Sequence, residues 1–466
     1  MRPQAARTGC LVGGEARDHA PPSARAVAAR VLHRVETQGA YANFALAAAL
    51  RRSPLERRER ALAEELVYGV LRHRATLDWL LAPCSRRSLE SLDAWVRILL
   101  RLGAYQLRYL TAVPEYAAVS DTVSLARAMG RRWAAGYVNA VLRELLRRHD
   151  PPLPSLHEDA VTHLSVTASH PAWLVRRWVR QWSVEEAVSL CAANNCVPPL
   201  SVRVNTLRWT TAEVAALIEK AGCRVASGTL HPDALRLAAP GDVRELTAFR
   251  EGAFFIQDES SMAAVELLGL RPGQQVLDAC AGRGGKTASI AMGLRGQGRI
   301  TCWDVHAGKL RQLGDECLRL GVTIARRHLA DARRPPLRGR PFDAALVDAP
   351  CSGLGVVRRY PDLRWRRAEE DIVRLAALQL ELLEQVANLV APGGTLVYAV
   401  CSTEPEETVQ VAETFARQRR DVAPVDAASR LTTMRRHDLL RNGALVTVPH
   451  LHDSDGFFAA VFEVQG

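Results

Sequence analysis

Two cysteines stand out for their surroundings. Cys351 follows the apolar run 342–347 within Asp348-Ala349-Pro350-Cys351-Ser352-Gly353, and Cys401 follows a second apolar run, 395–400, within Cys401-Ser402-Thr403. Short apolar runs bounded by turn-forming residues read as buried strands. In an open α/β sheet, the carboxyl ends of the strands are where ligands bind. Two thiols at such ends, one of them near an aspartate, point to sulfur chemistry on a bound substrate. Free cysteines are among the most buried residues and most serve only in packing. This pair differs because both members close a strand and a cofactor-type loop precedes them.

That loop is Asp278-Ala279-Cys280-Ala281-Gly282-Arg283-Gly284-Gly285-Lys286-Thr287, between the strand 275–279 and the helix that begins at Lys286. Glycines at a strand-to-helix turn let the backbone approach a ligand and expose the N–H groups of the helix start. Asp304 ends the next strand, about 20 residues on, where an acid suits the two hydroxyls of a ribose. Asp331, after the third strand, is placed to meet an adenine. The candidate cofactor residues are therefore Cys280 to Lys286, Asp304, Asp331 and Asp348. Gly285-Lys286-Thr287 looks like the end of a phosphate-binding P-loop, but that motif needs glycine five positions before Gly285, where Cys280 stands. The glycine spacing is not that of a nicotinamide site either, so S-adenosylmethionine is the better fit.

The elements that position these residues follow from periodicity. From about Gly273 the chain alternates strands (275–279, 299–305, 323–328, 344–347, 395–400) with helices (286–294, 307–320, 368–390, 404–419), which predicts a Rossmann-like α/β domain over 263–466. A closing edge strand is expected at 459–464. Residues 165–262 read as a small α+β subdomain, with helices at 173–182 and 184–193 and strands at 200–205, 223–226 and 253–257. A Thr210-x-x-Glu213 capping box opens its third helix. This arginine-rich piece is either an RNA platform or a connector. Residues 23–150 are helical throughout (24–36, 40–51, 57–81, 91–109, 118–129, 133–148), and Pro151-Pro152-Leu153-Pro154 marks a boundary. Residues 1–22 read as a disordered polar tail.

Bulk properties narrow the class. The 466 residues are too many for one ordinary core, and 48% hydrophobic content is ample for globular folding. No apolar run reaches the roughly 18 residues of a membrane span, and no secretory signal is evident. Ten cysteines without framework spacing read as reduced thiols, so a cytoplasmic protein is expected. Cys191 and Cys196 are the nearest pair, yet no second pair follows at zinc-site spacing, and no metal is expected. A net charge of +11 favours a polyanionic partner.

Taken together, the motifs resemble those of the RNA cytosine-C5 methyltransferases of the Fmu/Sun family, in particular members with a NusB-like helical domain. The resemblance rests on Ala63-Glu64-Glu65-Leu66-Val67-Tyr68-Gly69, Arg203-Val204-Asn205-Thr206, Gln257-Asp258-Glu259-Ser260-Ser261, Asp348 to Gly355, Tyr398 to Thr403 and Asp455-Gly456-Phe457-Phe458, and covers nearly everything from Ala24 onward. It implies methyl transfer from S-adenosylmethionine to C5 of a cytosine through a covalent cysteine–C6 adduct. Cys401 would attack, Cys351 would assist product release, and Asp348 would meet the N3–N4 edge of the base. Lys286 would pair with Asp348 or help hold a thiolate. Structured RNA is the implied partner, 16S ribosomal RNA or an early small-subunit particle, with the enzyme a monomer. Transfer RNA as substrate, or a non-catalytic assembly factor, are the alternatives. Two departures matter: Gly282-Arg283 replaces the usual Ala-Pro, and Tyr360-Pro361-Asp362 stands where His-Pro-Asp is common. Arg358-Arg359 and Arg364-Trp365-Arg366-Arg367 supply cationic and aromatic surface near the second motif, a mix common in RNA recognition.

Overall fold

The computed structural model describes residues 23–238, 241–433 and 438–465, so the tail expected at 1–22 lies outside the described residues. The chain divides into two compact units, the first ending at Ser169 and the second beginning at His170.

The described part of the first unit is helical: Ala24–Gln38, Ala42–Arg52, Arg57–Arg72, Arg74–Leu81, Ala94–Tyr109, Glu115–Ala128, Ala135–Arg147 and Ala160–Thr167. Apolar residues at three- and four-residue spacing, among them Leu66, Val70, Leu77, Leu99, Val138 and Leu142, form its core. Ser23 caps the first helix by accepting from the Ala26 N–H, and Gly39 ends it in the left-handed region with φ 62°. The single helix expected over 57–81 is broken at His73. Neither glycine nor proline marks the break; instead the His73 ring stacks on Tyr109, with centroids 4.2 Å apart. Buried Arg101 is held bidentately by Asp78 at 2.7 and 2.8 Å and by Glu36 at 2.8 Å, the full pairing that a buried charge requires.

The second unit carries two sheets. Strands β1 (Leu200–Val204), β2 (Arg224–Ser227), β3 (Ala234–Ala238) and β4 (Phe254–Ile256) form an antiparallel sheet in the order β2-β3-β1-β4. The Thr210–Glu213 capping box forms as expected and opens the helix Thr211–Lys220. Asn205 ties this sheet to the rest: its amide donates to the carbonyls of Gly252 and Leu320, both at 2.8 Å.

The large sheet comprises β5 (Gln275–Asp278), β6 (Arg299–Asp304), β7 (Ala325–Leu329), β8 (Phe342–Asp348), β9 (Val390–Val400), β10 (Val422–Val425), β11 (Leu440–Arg441), β12 (Ala444–Thr447) and β13 (Phe457–Val464). Its order is β11-β12-β13-β9-β8-β5-β6-β7, with β10 also pairing β13. Strands β5 to β9 are parallel, with the helices Gly285–Gly293, Ala307–Leu320 and Glu369–Ala387 in their connections. The chain moves outward from β5 through β6 to β7 and then returns to lay β8 on the other side of β5. Such a reversal opens a crevice at the carboxyl ends of β5 and β8.

One expectation is corrected here. The strand foreseen as a closing edge is β13, an interior strand flanked by β9, β10 and β12. Phe457, Ala459 and Val461 pack into the core on one side of the sheet and Phe458, Ala460 and Phe462 into that on the other. A strand buried on both faces needs neighbours on both edges; β9 covers one, and short β10 and β12, without a strong apolar signal of their own, cover the other.

Candidate active site

Because β8 and β9 are adjacent and parallel, with Asp348 in register with Ala399, the turns that follow them lie side by side. Cys351 Sγ and Cys401 Sγ stand 3.3 Å apart. The turns are also joined through backbone: the Gly355 N–H donates to the Cys401 carbonyl at 3.1 Å, and the Gly456 N–H to the Gly355 carbonyl at 2.8 Å. Arg367 fixes the first turn from outside, its Nε donating to Ser352 O at 2.7 Å. The hydrogen bond with Cys401, followed by burial and by the charges of Cys401 and Glu407, holds the Cys351 thiol well above its usual range. Cys351 therefore keeps its proton at neutral pH.

Behind the pair lies a residue that sequence reasoning missed. The buried carboxylate of Glu407 accepts from Ser352 N at 2.7 Å, Ser352 Oγ at 2.5 Å, Ser402 Oγ at 2.6 Å and Gln379 Nε2 at 3.1 Å. Glu404-Pro405-Glu406-Glu407 reads as the polar start of a helix over 404–419, but the structure forms a tight turn at Pro405–Glu407 and begins the helix at Val409. Glu404 is buried as well, accepting from Arg177 Nε at 2.8 Å and Trp178 Nε1 at 3.1 Å. Nothing in the local letters separates these inward acids from an exposed charged turn.

Lys286 and Asp348 form an ion pair at 2.7 Å, and the ammonium lies 5.3 Å from the centre of the Phe457 ring. Burial opposes the charge on Lys286, but the Asp348 carboxylate, its hydrogen bond and the neighbouring Cys401 outweigh it and raise the pKa. Asp278, at the end of β5, is pushed up to about 7 by burial, against a hydrogen bond from Thr287 Oγ1.

A cavity of about 450 Å³ opens at the carboxyl ends of the strands. Cys280, Gly282, Asp304, Asp331 and Asp348 line it together with apolar groups that include Val305, Ala332, Leu378 and Leu382. The Asp304 carboxylate accepts from the N–H groups of Gly282 at 3.1 Å and His306 at 2.8 Å, and Lys309 Nζ lies 3.7 Å away. Asp331 is gripped by Arg333, at 2.6 Å between Oδ2 and Nη2, and that hydrogen bond keeps its carboxyl below the usual range. Ala281 turns inward and its N–H donates to Trp303 O at 2.8 Å. Gly284 has φ 92°, and a Cβ there would come 2.8 Å from Leu313 Cγ. Ala281, Arg283, Gly284, Gly285 and Lys286 do not line the cavity. Arg283 is exposed and lies near enough to Tyr360 for an electrostatic influence, so the two departures from the expected motif share one neighbourhood. Burial pushes the Cys280 thiol up, which makes it inert wall. An acid for the ribose hydroxyls, a second near an apolar wall for a heteroaromatic ring, and a glycine turn fit a nucleoside cofactor such as S-adenosylmethionine. Among the described residues no three His, Cys, Asp or Glu side chains are grouped to hold a metal, and no helix is long and apolar enough to cross a membrane.

Comparison with known proteins agrees with this geometry. Family profiles match residues 22–147 (NusB family), 170–244 (Methyltr_RsmF/B-like, ferredoxin-like domain) and 265–463 (16S rRNA methyltransferase RsmB/F). The chain is 35% identical to "Probable ribosomal RNA small subunit methyltransferase B" of Bacillus subtilis, over 95% of this chain and 99% of the relative. It is 37% identical to "Ribosomal RNA small subunit methyltransferase B" of Pseudomonas syringae pv. tomato, over 87% and 89%. A solved methyltransferase homolog protein from Pyrococcus horikoshii superposes with a TM-score of 0.56 at 27% identity, covering 66% of this chain and 99% of that one. With relatives matched over nearly their whole length, and with the three family profiles covering successive parts of the sequence, the chain belongs to the 16S rRNA methyltransferase RsmB/F family, whose members are S-adenosylmethionine-dependent methyltransferases.

Proposed function

We propose that this chain methylates C5 of a cytosine in 16S ribosomal RNA, through a transient bond between Cys401 and C6 of the base. The observation that carries this reading is the pair of sulfurs 3.3 Å apart, beside a Lys286–Asp348 pair whose aspartate also lines the cavity. The names of the relatives point to small-subunit ribosomal RNA as the substrate.

Cytosine C5 is a poor nucleophile, and addition of the Cys401 thiolate to C6 turns the ring into an enamine whose C5 can attack an electrophile. Cys280, Gly282, Asp304 and Asp331, which line the cavity, would hold S-adenosylmethionine, and the cofactor would supply the methyl group for that carbon. In the adduct, the N3–N4 edge presents donors that the Asp348 carboxylate accepts, with Lys286 holding Asp348 in place. Once Cys401 is bonded to carbon its hydrogen bond and charge no longer act on Cys351, while burial and the Glu407 charge still favour the thiol. A base then takes the proton from C5, and Cys351 assists release of the product. The C5–H electrons restore the C5=C6 bond, the C6–S bond breaks, and Cys401 leaves as thiolate. The base must leave its stack to be reached from both faces.

The test uses S-adenosylmethionine labelled in the methyl group, a 16S transcript, a transfer RNA control, and bisulfite sequencing of the product. Cys401→Ala should abolish turnover while leaving cofactor affinity intact. Cys351→Ala should accumulate a protein–RNA adduct that survives denaturation. Residual turnover in the first variant, or no adduct in the second, rejects the assigned roles.

A further inference from the structure

We propose that Glu407 is a positioning residue for the thiol pair: its buried carboxylate binds the turn after each cysteine and so sets the distance at which the two sulfurs stand. The inference rests on the roles given above to Cys351 and Cys401.

Three observations lead to it. First, the partners of Glu407 are the residues that immediately follow the two cysteines. Its Oε2 accepts from both Ser352 Oγ and Ser402 Oγ, so one oxygen bridges the turn after β8 and the turn after β9. The two hydroxyl oxygens stand 3.3 Å apart, repeating one residue later the spacing of the sulfurs. Second, the brace is continuous on the Cys351 side. Oε1 accepts from Ser352 N and from Gln379 Nε2; that same amide donates to Pro350 O at 2.9 Å, and the Tyr398 hydroxyl donates to Gln379 Oε1 at 2.9 Å. The backbone just before and just after Cys351 is thus tied to one carboxylate. Third, a buried carboxylate is expensive for stability, and an apolar residue of similar size would often serve packing as well. Four donors converging on Glu407 remove most of that penalty and at the same time over-determine the geometry of the two turns. Its charge is also among the causes that keep Cys351 in the thiol form.

Glu407→Gln preserves shape but presents an NH₂ group to an array of donors, which loosens the clamp. A misplacement of about 1 Å at a reacting group costs on the order of 10²-fold in rate, so kcat should fall roughly 10- to 100-fold while cofactor affinity, measured by calorimetry, is unchanged. A second readout needs no RNA. The protein is equilibrated with glutathione and glutathione disulfide, two protein thiols and one glutathione disulfide giving the Cys351–Cys401 disulfide and two glutathiones, and the linkage is counted by mass spectrometry. Loosening should lower the effective concentration of the pair about tenfold, shifting the midpoint toward a more oxidising mixture. A wild-type midpoint in Glu407→Gln overturns the proposal, whatever happens to kcat. A shifted midpoint in a protein whose wild type does not methylate 16S RNA leaves the clamp standing and rejects the functional reading instead. Should Glu407→Gln fail to fold, Ser352→Ala combined with Ser402→Ala removes both hydroxyl donors and keeps the acid. It must show the same shift, and a wild-type midpoint there also overturns the proposal.

Discussion

Replacing Gly355 by alanine measures how tightly the active site depends on the approach of three turns. A Cβ on Gly355 comes 2.0 Å from the Gly456 carbonyl oxygen, 2.7 Å from its carbon and 3.0 Å from the Cys401 carbonyl oxygen. Ordinary contact begins at 3.4 Å, so one backbone segment has to withdraw by about 1.4 Å from the other. The approach is close from the other side as well: a Cβ on Gly456 would come 2.7 Å from Thr403 Cγ2 and 2.8 Å from Gly355 Cα. The Gly355 N–H is bonded to Cys401 O, so the displacement passes directly to the backbone of the proposed nucleophile. A shift of that size costs on the order of 10²-fold in kcat, about 2.7 kcal/mol on the barrier. Overpacking costs the fold roughly 1–3 kcal/mol, less than the 5–15 kcal/mol typical of a domain, so the variant should remain folded. The assay is steady-state transfer of labelled methyl to 16S RNA, with thermal unfolding followed in parallel. Gly136→Ala is the control: it lies in the helix Ala135–Arg147 with nothing within 4 Å of its Cβ, and it should stabilise by about 0.5–1 kcal/mol. A folded Gly355→Ala enzyme whose kcat stays within about threefold of wild type would refute the reasoning, since displacement of the proposed nucleophile by that much should not leave the rate intact.

Asp304→Ala removes the acceptor for two loop N–H groups as well as the ribose partner, and should weaken S-adenosylmethionine binding by roughly 10- to 100-fold; an unchanged affinity by calorimetry rejects that placement. Asp278→Asn tests the buried acid whose pKa is about 7. The folded state holds a proton there that an unfolded aspartate releases near pH 4, so wild-type stability falls as pH rises from about 4 to 7 and is level above that. The stability of Asp278→Asn relative to wild type should therefore rise across the same window, by up to a few kcal/mol. Urea unfolding at pH 5 and pH 8 that gives the same difference would show that Asp278 does not titrate as described.

Much of the site was legible because its chemistry sits where local patterns are strongest. Cys351, Cys401, Asp304 and Asp348 all close apolar runs, and a strand that ends in a reactive group announces its position without knowledge of its neighbours. The helix Ala307–Leu320 was read to its ends because Gly321 provides an unmistakable stop, with φ 73°. What escaped notice depends on distant partners. The interior place of β13 requires strands β10 to β12, which are two to four residues long and too short to carry a period. The break at His73 coincides with the stacking of its ring on Tyr109 of another helix, a contact that no local pattern records.

Glu407 is the sharpest case. Its segment contains three acids in four positions, and acids next to proline ordinarily mean a solvated turn. Only when β8 and β9 are placed side by side do Ser352 and Ser402 become neighbours, and only then does a carboxylate that can accept from both acquire a purpose. The same holds for Arg283 and Tyr360. Each is a departure from the family pattern when read alone, and only the fold brings the two residues near enough to interact. A strand-end motif thus specifies which atoms can react, while the distance between them is specified by residues whose own letters look ordinary. That division is why the reacting pair was found first and its brace only afterwards.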